Sequence, residues 1–358
     1  MITWAVSWKN ISLTALMPDG AVLAGSLNMP FRRRWRHAVA KALWAFRPSL
    51  FYFAADRGAR EDIRVARDGR VLEITRLRSE KIIRLSVENA LYVPLVVESF
   101  DYFFDSVEPV LLYRKGQSVK LVDFSTPRLH WVKDFDDFPV LFSSLAEPFV
   151  TTQQYLDFAQ LQMGDVVFDL GAYSALSSIA FAKGVGPSGK VIAVEPDPLN
   201  SWTASANITR QATSTGVRNI DLVQAAVAAR TGMLRFSSEG AMGSAAAAIV
   251  GNHRGKVIEV EALSLQSLAD RAGRGRVDFI KMDIEGAELD VILNSREFLD
   301  HYRPKLMIEP HFIDGALTSA PIINCLENIG YDCRVIKQMG LLSLPLISAV
   351  WKSEVGPT

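Results

Sequence analysis

In the second half of the chain, short apolar runs alternate with helical stretches, and nothing else in the sequence restricts the fold as much. DVVFDL at 165–170, KVIAVE at 190–195, NIDLVQ at 219–224, VDFIKMD at 277–283 and PKLMIE at 304–309 read as strands. Helices are predicted over 174–184, 199–211, 286–296 and 317–329, followed by YDCRVI at 331–336 and a last apolar run at 346–351. Strands this short and this apolar are buried on both faces, so the pattern predicts a mostly parallel sheet covered by helices on each side. The segment 232–261 interrupts the alternation and reads as a small antiparallel insertion, with Gly240, Gly243 and Gly251 at turns. Before residue 150 the pattern is looser. Asp68-Gly69 and Lys115-Gly116 each sit between apolar runs as hairpin signals, and Pro94 opens a candidate helix over 94–104. We read two domains: a mixed α+β lobe at 1–146, and an α/β domain at 147–358.

The stretch VVFDLGAYSALSSIAFA at 166–182 is a buried strand, one glycine, then small residues running into a helix. In a parallel α/β sheet, ligands bind beyond the carboxyl ends of the strands. Gly171 stands there, and Glu195 ends the next strand, positioned to accept hydrogen bonds from both ribose hydroxyls. Together they point to an adenosine-containing cofactor. A dinucleotide would need a G-x-G-x-x-G cradle, yet Tyr173 and Leu176 occupy its second and third glycine positions. S-adenosylmethionine carries no phosphate and tolerates that loss, so the methyl donor is favoured. An ordinary strand-to-helix turn with a surface glutamate is the plainer alternative.

The later strands weaken that alternative. The fourth ends as IKMDIEGAELDVI and the fifth as LMIEPHF, bringing Lys281, Asp283, Glu285, Glu309 and His311 to one sheet edge. Charges at a buried rim are costly unless used or paired. Glu288 reads as a first-turn helix residue facing the dipole, and Gly286 as a tight turn before that helix. Glu285 is read as either a similar helix N-terminal carboxylate or part of the site.

Residues from about 147 to 312 resemble the FkbM family of S-adenosylmethionine-dependent methyltransferases. The resemblance is carried by GDVVFDLGAYSALSSIAFA, KVIAVEPDPLNSWTASANI, VDFIKMDIEGAELDVI and RPKLMIEPH, and most specifically by K-M-D-I-E-G-A-E. It covers the first 140 residues poorly. It implies a class I methyltransferase (Rossmann-like) fold with a seven-stranded sheet whose last strand is antiparallel. It also implies S-adenosyl-L-methionine as cofactor and methyl transfer to a hydroxyl of a small molecule or glycan. The expected cofactor residues are Asp169, Gly171, Ala172, Tyr173, Ser174, Glu195, Pro196 and Asp283. One departure is visible: the family usually has a second glycine four residues after the first with an asparagine between, where this chain has Ala175 and Tyr173. It leaves open a non-catalytic binding or scaffold protein of the same fold, beside the less favoured dinucleotide-dependent oxidoreductase.

Methyl transfer from a sulfonium needs placement above all, and a neutral alcohol gains from a base. The expected catalytic groups are Asp283, His311 and Glu309. His311 is read as the base, Asp283 as its rival or as the group orienting the acceptor, and Glu309 as the partner that fixes the imidazole or faces the acceptor. No metal is expected, although Asp283, Glu309 and Glu285 offer oxygen ligands of the kind magnesium takes. Lysine plus arginine (39) equals aspartate plus glutamate (39), which speaks against a nucleic-acid partner. Two cysteines, no signal-like N-terminus and no bilayer-length apolar run make the cytoplasm the expected compartment. One stretch, FRRRWRHAVAKALWAFRPSLFYF at 31–53, carries no acidic residue. It reads as a helix packing an aromatic stripe on the core, with peripheral membrane contact as the alternative.

Overall fold

The computed structural model describes residues 4–6, 12–16, 22–26, 62–114, 116–246, 249, 255–338 and 345–352. The candidate helix and membrane-contact stretch at 31–53, and Gly251, lie outside them. The chain forms two compact units. One comprises Met1–Phe100 with Val110–Ser125, the other Asp101–Pro109 with Thr126–Thr358. This division differs from a single boundary at 146, because residues 126–146 pack with the larger unit. Leu141 gives its N–H to Asn207 Oδ1 (2.8 Å) and takes Asn207 Nδ2 on its carbonyl (2.9 Å), while the Tyr173 hydroxyl donates to the Leu145 carbonyl (2.7 Å).

The smaller unit holds a five-stranded sheet in the order Ile63–Asp68, Val71–Arg76, Lys81–Ser86, Gln117–Phe124, Val110–Arg114. Lys81–Ser86 and Gln117–Phe124 run parallel and the other neighbours antiparallel. Both expected hairpins form, pairing Asp68 with Val71 and Arg114 with Gln117. Gly69 (φ 58°) and Gly116 (φ 81°) supply the positive φ that such tight turns need. The helix expected over 94–104 is two pieces, Val93–Glu98 and Phe100–Phe104, parted at Ser99 (φ −116°, ψ 41°). A separate antiparallel sheet joins Trp4–Val6, Ser12–Leu16 and Val22–Ser26.

The larger unit is built on seven strands: β1 (Val166–Leu170), β2 (Lys190–Val194), β3 (Ile220–Val223), β4 (Phe279–Met282), β5 (Lys305–Ile308), β6 (Tyr331–Lys337) and β7 (Pro345–Trp351). Their spatial order is β3-β2-β1-β4-β5-β7-β6. The first five are parallel, and β7 runs antiparallel to both β5 and β6. This is the mostly parallel seven-stranded sheet with one antiparallel strand that the resemblance implies. Helices α1 (Phe149–Ala159), α2 (Leu176–Val185), α3 (Pro198–Thr215), α4 (Leu265–Ala272), α5 (Glu288–Asn294), α6 (Arg296–Tyr302) and α7 (Ser319–Ile329) accompany it.

The strand period of two sorts the core. Val166, Phe168, Leu170, Ile280 and Met282 join one buried cluster, while Val167, Phe279 and Met307 join another with Phe181 and Tyr155. Asp169 and Lys281 fall on the second face and are direct partners across β1 and β4. The chain reverses its direction of sheet growth between β1 and β4, so the crevice at their carboxyl ends is the topological switch point. Between β3 and β4 an excursion forms its own sheet, in the order Ala226–Val227, Lys256–Leu263, Gly232–Ser238, Ala245–Ala246. The antiparallel insertion expected at 232–261 is its central part. Among the described residues, no helix is long and apolar enough to cross a membrane.

Candidate active site

Gly171 follows β1 with φ 79°, and a Cβ there would run into the backbone carbonyl of Asp283. Only glycine lets the end of β1 lie this close to the end of β4. Beneath this contact Lys281 donates to the Gly171 carbonyl (2.7 Å) and stands 3.7 Å from Asp169 Oδ1 and 3.6 Å from Asp283 Oδ2. Burial lowers the Lys281 proton affinity, but Asp283 and Asp169 outweigh burial and raise that affinity above the ordinary value. Asp169 is fully buried and also accepts from the Ser177 and Ser178 hydroxyls at the start of α2.

A cavity of about 270 Å³ opens over this crevice. Gly171, Tyr173, Glu195, Pro196 and Asp283 of the expected cofactor set line it. Asp169, Ala172 and Ser174 do not: Asp169 is turned to Lys281, Ala172 donates its N–H to the Val194 carbonyl (3.0 Å), and the Ser174 carbonyl accepts from Asn207 (2.9 Å). Glu195 is 4 % exposed, with Oε2 accepting from the Tyr173 N–H and Oε1 from the Asp197 N–H, both at 2.9 Å. Burial pushes its carboxyl up to about 8, against the pull of these hydrogen bonds. The far wall comes from the excursion, through Ala226, Leu234, Phe236, Met242 and Ser244.

Asp197 ties that wall down. It caps α3 through Oδ1, which accepts from Leu199 N (2.9 Å) and Asn200 N (3.4 Å). Its Oδ2 accepts from Ser238 Oγ (2.8 Å), Gly240 N (2.9 Å) and Ser244 Oγ (2.8 Å). Sequence reasoning missed this role, although D-P at a helix start is an N-cap signal. It also missed Glu147, which lines the cavity from the loop before α1 and whose carboxyl burial pushes up to about 7. Glu147 lies outside every motif, and no local signal marks it.

His311 and Glu309 are not in the cavity wall, but they meet the wall residues Asp283 and Glu285. His311 Nε2 lies 3.7 Å from Asp283 Oδ1 and 3.8 Å from Glu285 Oε2. Its Nδ1 is 3.0 Å from Glu288 Oε1. Glu288, read from sequence as a dipole partner, does begin α5, yet it is fully buried and takes the N–H groups of Ile284 (2.9 Å) and Gly286 (3.2 Å) as well. The group that fixes the imidazole is therefore Glu288, while Glu309 Oε2 accepts from the Gln338 amide (2.9 Å). Burial opposes a charged imidazole, but Glu288, Glu285 and Asp283 prevail and raise its proton affinity well above the ordinary value. Burial and Asp283 together raise the Glu309 carboxyl. Asp283, Glu309 and His311 each bring a potential ligand atom within 4.8 Å of the others.

Residues 169–333 match the family described as Methyltransferase FkbM domain. No curated protein matches the chain. Among solved structures, similarity extends to a methyltransferase FkbM from Methylobacillus flagellatus, at 18 % identity and TM-score 0.37 over 55 % of this chain and 50 % of that one. The chain thus spans half the length of that relative. A precorrin-6y C5,15-methyltransferase from Geobacter metallireducens matches at 19 % identity and TM-score 0.35, over 56 % of this chain and 87 % of that one. A SAM-dependent methyltransferase from Aquifex aeolicus matches at 14 % identity and TM-score 0.33, over 56 % and 88 %.

Proposed function

We propose, for a chain whose residues 169–333 match the methyltransferase FkbM domain, that it transfers the methyl group of S-adenosylmethionine to a hydroxyl of a small molecule or glycan. The observation that carries this reading is the cavity at the β1–β4 switch, with the Cβ-less Gly171 turn and the Glu195 carboxylate in one wall. The fit is local. Gly171 lets the ends of β1 and β4 close on each other at the cavity it lines, and Glu195 keeps lone pairs beyond its two backbone hydrogen bonds for ribose hydroxyls. The cofactor would supply a methyl group already activated on a sulfonium.

The chain's own part is to hold and order. Gly171, Tyr173, Glu195 and Pro196 bind the donor. Asp283, in the cavity wall, orients the acceptor hydroxyl and takes up its proton as the new oxygen–carbon bond forms. His311 stands behind Asp283 and keeps Oδ1 aligned, itself held by Glu288. With Nδ1 on Glu288 and Nε2 facing Asp283, His311 is a positioning group, and the base role goes to Asp283, which lines the cavity. Leu234 and Phe236 give the far wall of the cavity apolar surface beside the donor.

Calorimetry with S-adenosylhomocysteine and with NAD is the first test. Micromolar binding of the former alone is expected. NAD binding would turn the reading to an oxidoreductase, and binding of neither to a scaffold protein. Once an extract screen with labelled methyl donor yields an acceptor, Asp283→Asn should lower turnover about 10²-fold, with donor affinity changed far less. Near-normal turnover in that variant would remove Asp283 from the chemistry.

A further inference from the structure

Three side chains at the β4–β5 edge are each aimed by a different neighbour. Asp283 turns Oδ2 toward Lys281 (3.6 Å) and Oδ1 toward His311 Nε2 (3.7 Å). Glu309 is fixed through Oε2 by Gln338, itself buried, which leaves Oε1 to the cluster. His311 is fixed through Nδ1 by Glu288, which leaves the Nε2 lone pair on the Asp283 side. Ligand atoms from the three lie within 4.8 Å of one another. Cis ligands around a small divalent ion bound at about 2.1 Å stand about 3 Å apart, so closing the set asks each side chain to move by about an ångström.

The arrangement behind the imidazole supports a cation independently of the three side chains. A histidine that binds a metal through one ring nitrogen almost always gives the other N–H to a carboxylate or carbonyl, which sets the tautomer and raises ligand basicity. Glu288 is that carboxylate here. It is fully buried and held by two backbone N–H groups, and its second oxygen has no hydrogen-bond partner. A buried carboxylate with one oxygen unpartnered in that position favours positive charge across the ring. Glu285 adds a further carboxylate 3.8 Å from Nε2 on the more open side.

We infer that Asp283, Glu309 and His311 bind a divalent cation whose preference is for mixed oxygen and imidazole ligands, such as Mn²⁺, beside the acceptor end of the cavity. This deepens the methyltransferase reading and rests on it only for the cation's use, not for its binding. Two carboxylates and one imidazole on one side leave coordination positions open on the other. A hydroxyl or water taken there loses its proton more readily, because the cation stabilises the oxyanion. Asp283 then serves as ligand through Oδ1 and as proton acceptor through Oδ2.

The test uses the full chain with Mn²⁺ alone as probe. Loss of the free-ion electron paramagnetic resonance signal should report one site of micromolar affinity at pH 7.5, and Glu309→Gln and His311→Ala should each weaken it about 10-fold or more. Both variants are first compared with the parent by thermal unfolding in EDTA, and Glu288→Gln, which removes the orienting charge but keeps the three ligands, supplies an independent variant with the same expected direction. Binding no tighter than millimolar in the parent, or equal affinity in all folded variants, overturns the site. S-adenosylhomocysteine affinity measured in EDTA separates the two readings: its absence removes the cofactor assignment and leaves the Mn²⁺ result standing, and the converse also holds.

Discussion

Ala175 holds a left-handed backbone (φ 63°, ψ 21°) immediately before α2, and it is fully buried. An L-residue pays about 1 kcal/mol there that glycine does not. Because Ala175 precedes the helix, the helix-propensity cost of glycine does not apply. Ala175→Gly should therefore raise stability by about 0.5–1 kcal/mol, read as a higher urea midpoint with unchanged slope. A lower midpoint would mean that the buried methyl contributes more than the strain costs. Tyr173 accepts the same backbone conformation (φ 49°) where the family has asparagine, and it anchors its hydroxyl on Leu145. Glu195 makes a second prediction at this scale. Its folded carboxyl titrates near 8 against an ordinary 4.5, so the native state binds that proton more tightly than the unfolded chain. Its contribution to stability is fully present below about 4.5 and is lost as pH rises through about 8. Glu195→Gln lacks this proton, so parent and variant should draw apart between pH 5 and pH 8.5, the parent losing stability relative to the variant. Parallel curves across that range would show that Glu195 is ionised throughout.

At the scale of elements, the excursion between β3 and β4 forms one wall of the cavity, and its attachment to the main sheet passes through Asp197. The three hydrogen bonds on Asp197 Oδ2 reach residues 238–244, while Oδ1 caps α3. Asp197→Ala should cost about 1 kcal/mol from the cap and free the 238–244 turn. Hydrogen exchange there should accelerate while exchange in β1 and β4 stays slow, and S-adenosylhomocysteine affinity should fall about 10-fold. Uniform acceleration would point instead to global destabilisation. The strands of the main sheet were readable because short, fully apolar runs bounded by Gly, Pro and charges have few other solutions. The positions of Gly171, Glu195, Asp283 and His311 at the strand ends were readable for the same reason. Helices α1 and α4 are absent from the sequence reading, although Ser264 caps α4, its buried Leu265, Leu268 and Ala269 recur at helical spacing, and Gly273 closes it with φ 62°. The helix read as 286–296 breaks at Ser295 into α5 and α6, since Ser295 leaves helical geometry (φ −113°, ψ 23°). The Glu288–His311 pairing joins residues 23 apart and was invisible to any local pattern.

For the whole molecule, the division into units predicts how the chain tolerates cutting. A fragment starting at 147 loses Leu141, Ser143, Ser144 and Leu145, and so takes these partners from Asn207 Oδ1, Asn200 Oδ1 and the Tyr173 hydroxyl in the interior. Each such orphaned group costs about 1–3 kcal/mol. A fragment starting at 126 keeps them. The shorter fragment should be insoluble or unfold at markedly lower urea than the longer one, and equal midpoints would mean that 126–146 is dispensable. The same division has a consequence for synthesis. The chain leaves the smaller unit after Phe100, contributes Asp101–Pro109 to the larger one, and then returns with Val110–Ser125. Lys81–Ser86 thus waits for its parallel neighbour Gln117–Phe124 until the intervening residues have been made. On the ribosome, which adds residues from the N-terminus onward, the first unit cannot finish before the second has begun. Its half-built sheet keeps an open edge during that interval, a surface on which chaperones or neighbouring nascent chains can act before the strand that belongs there arrives.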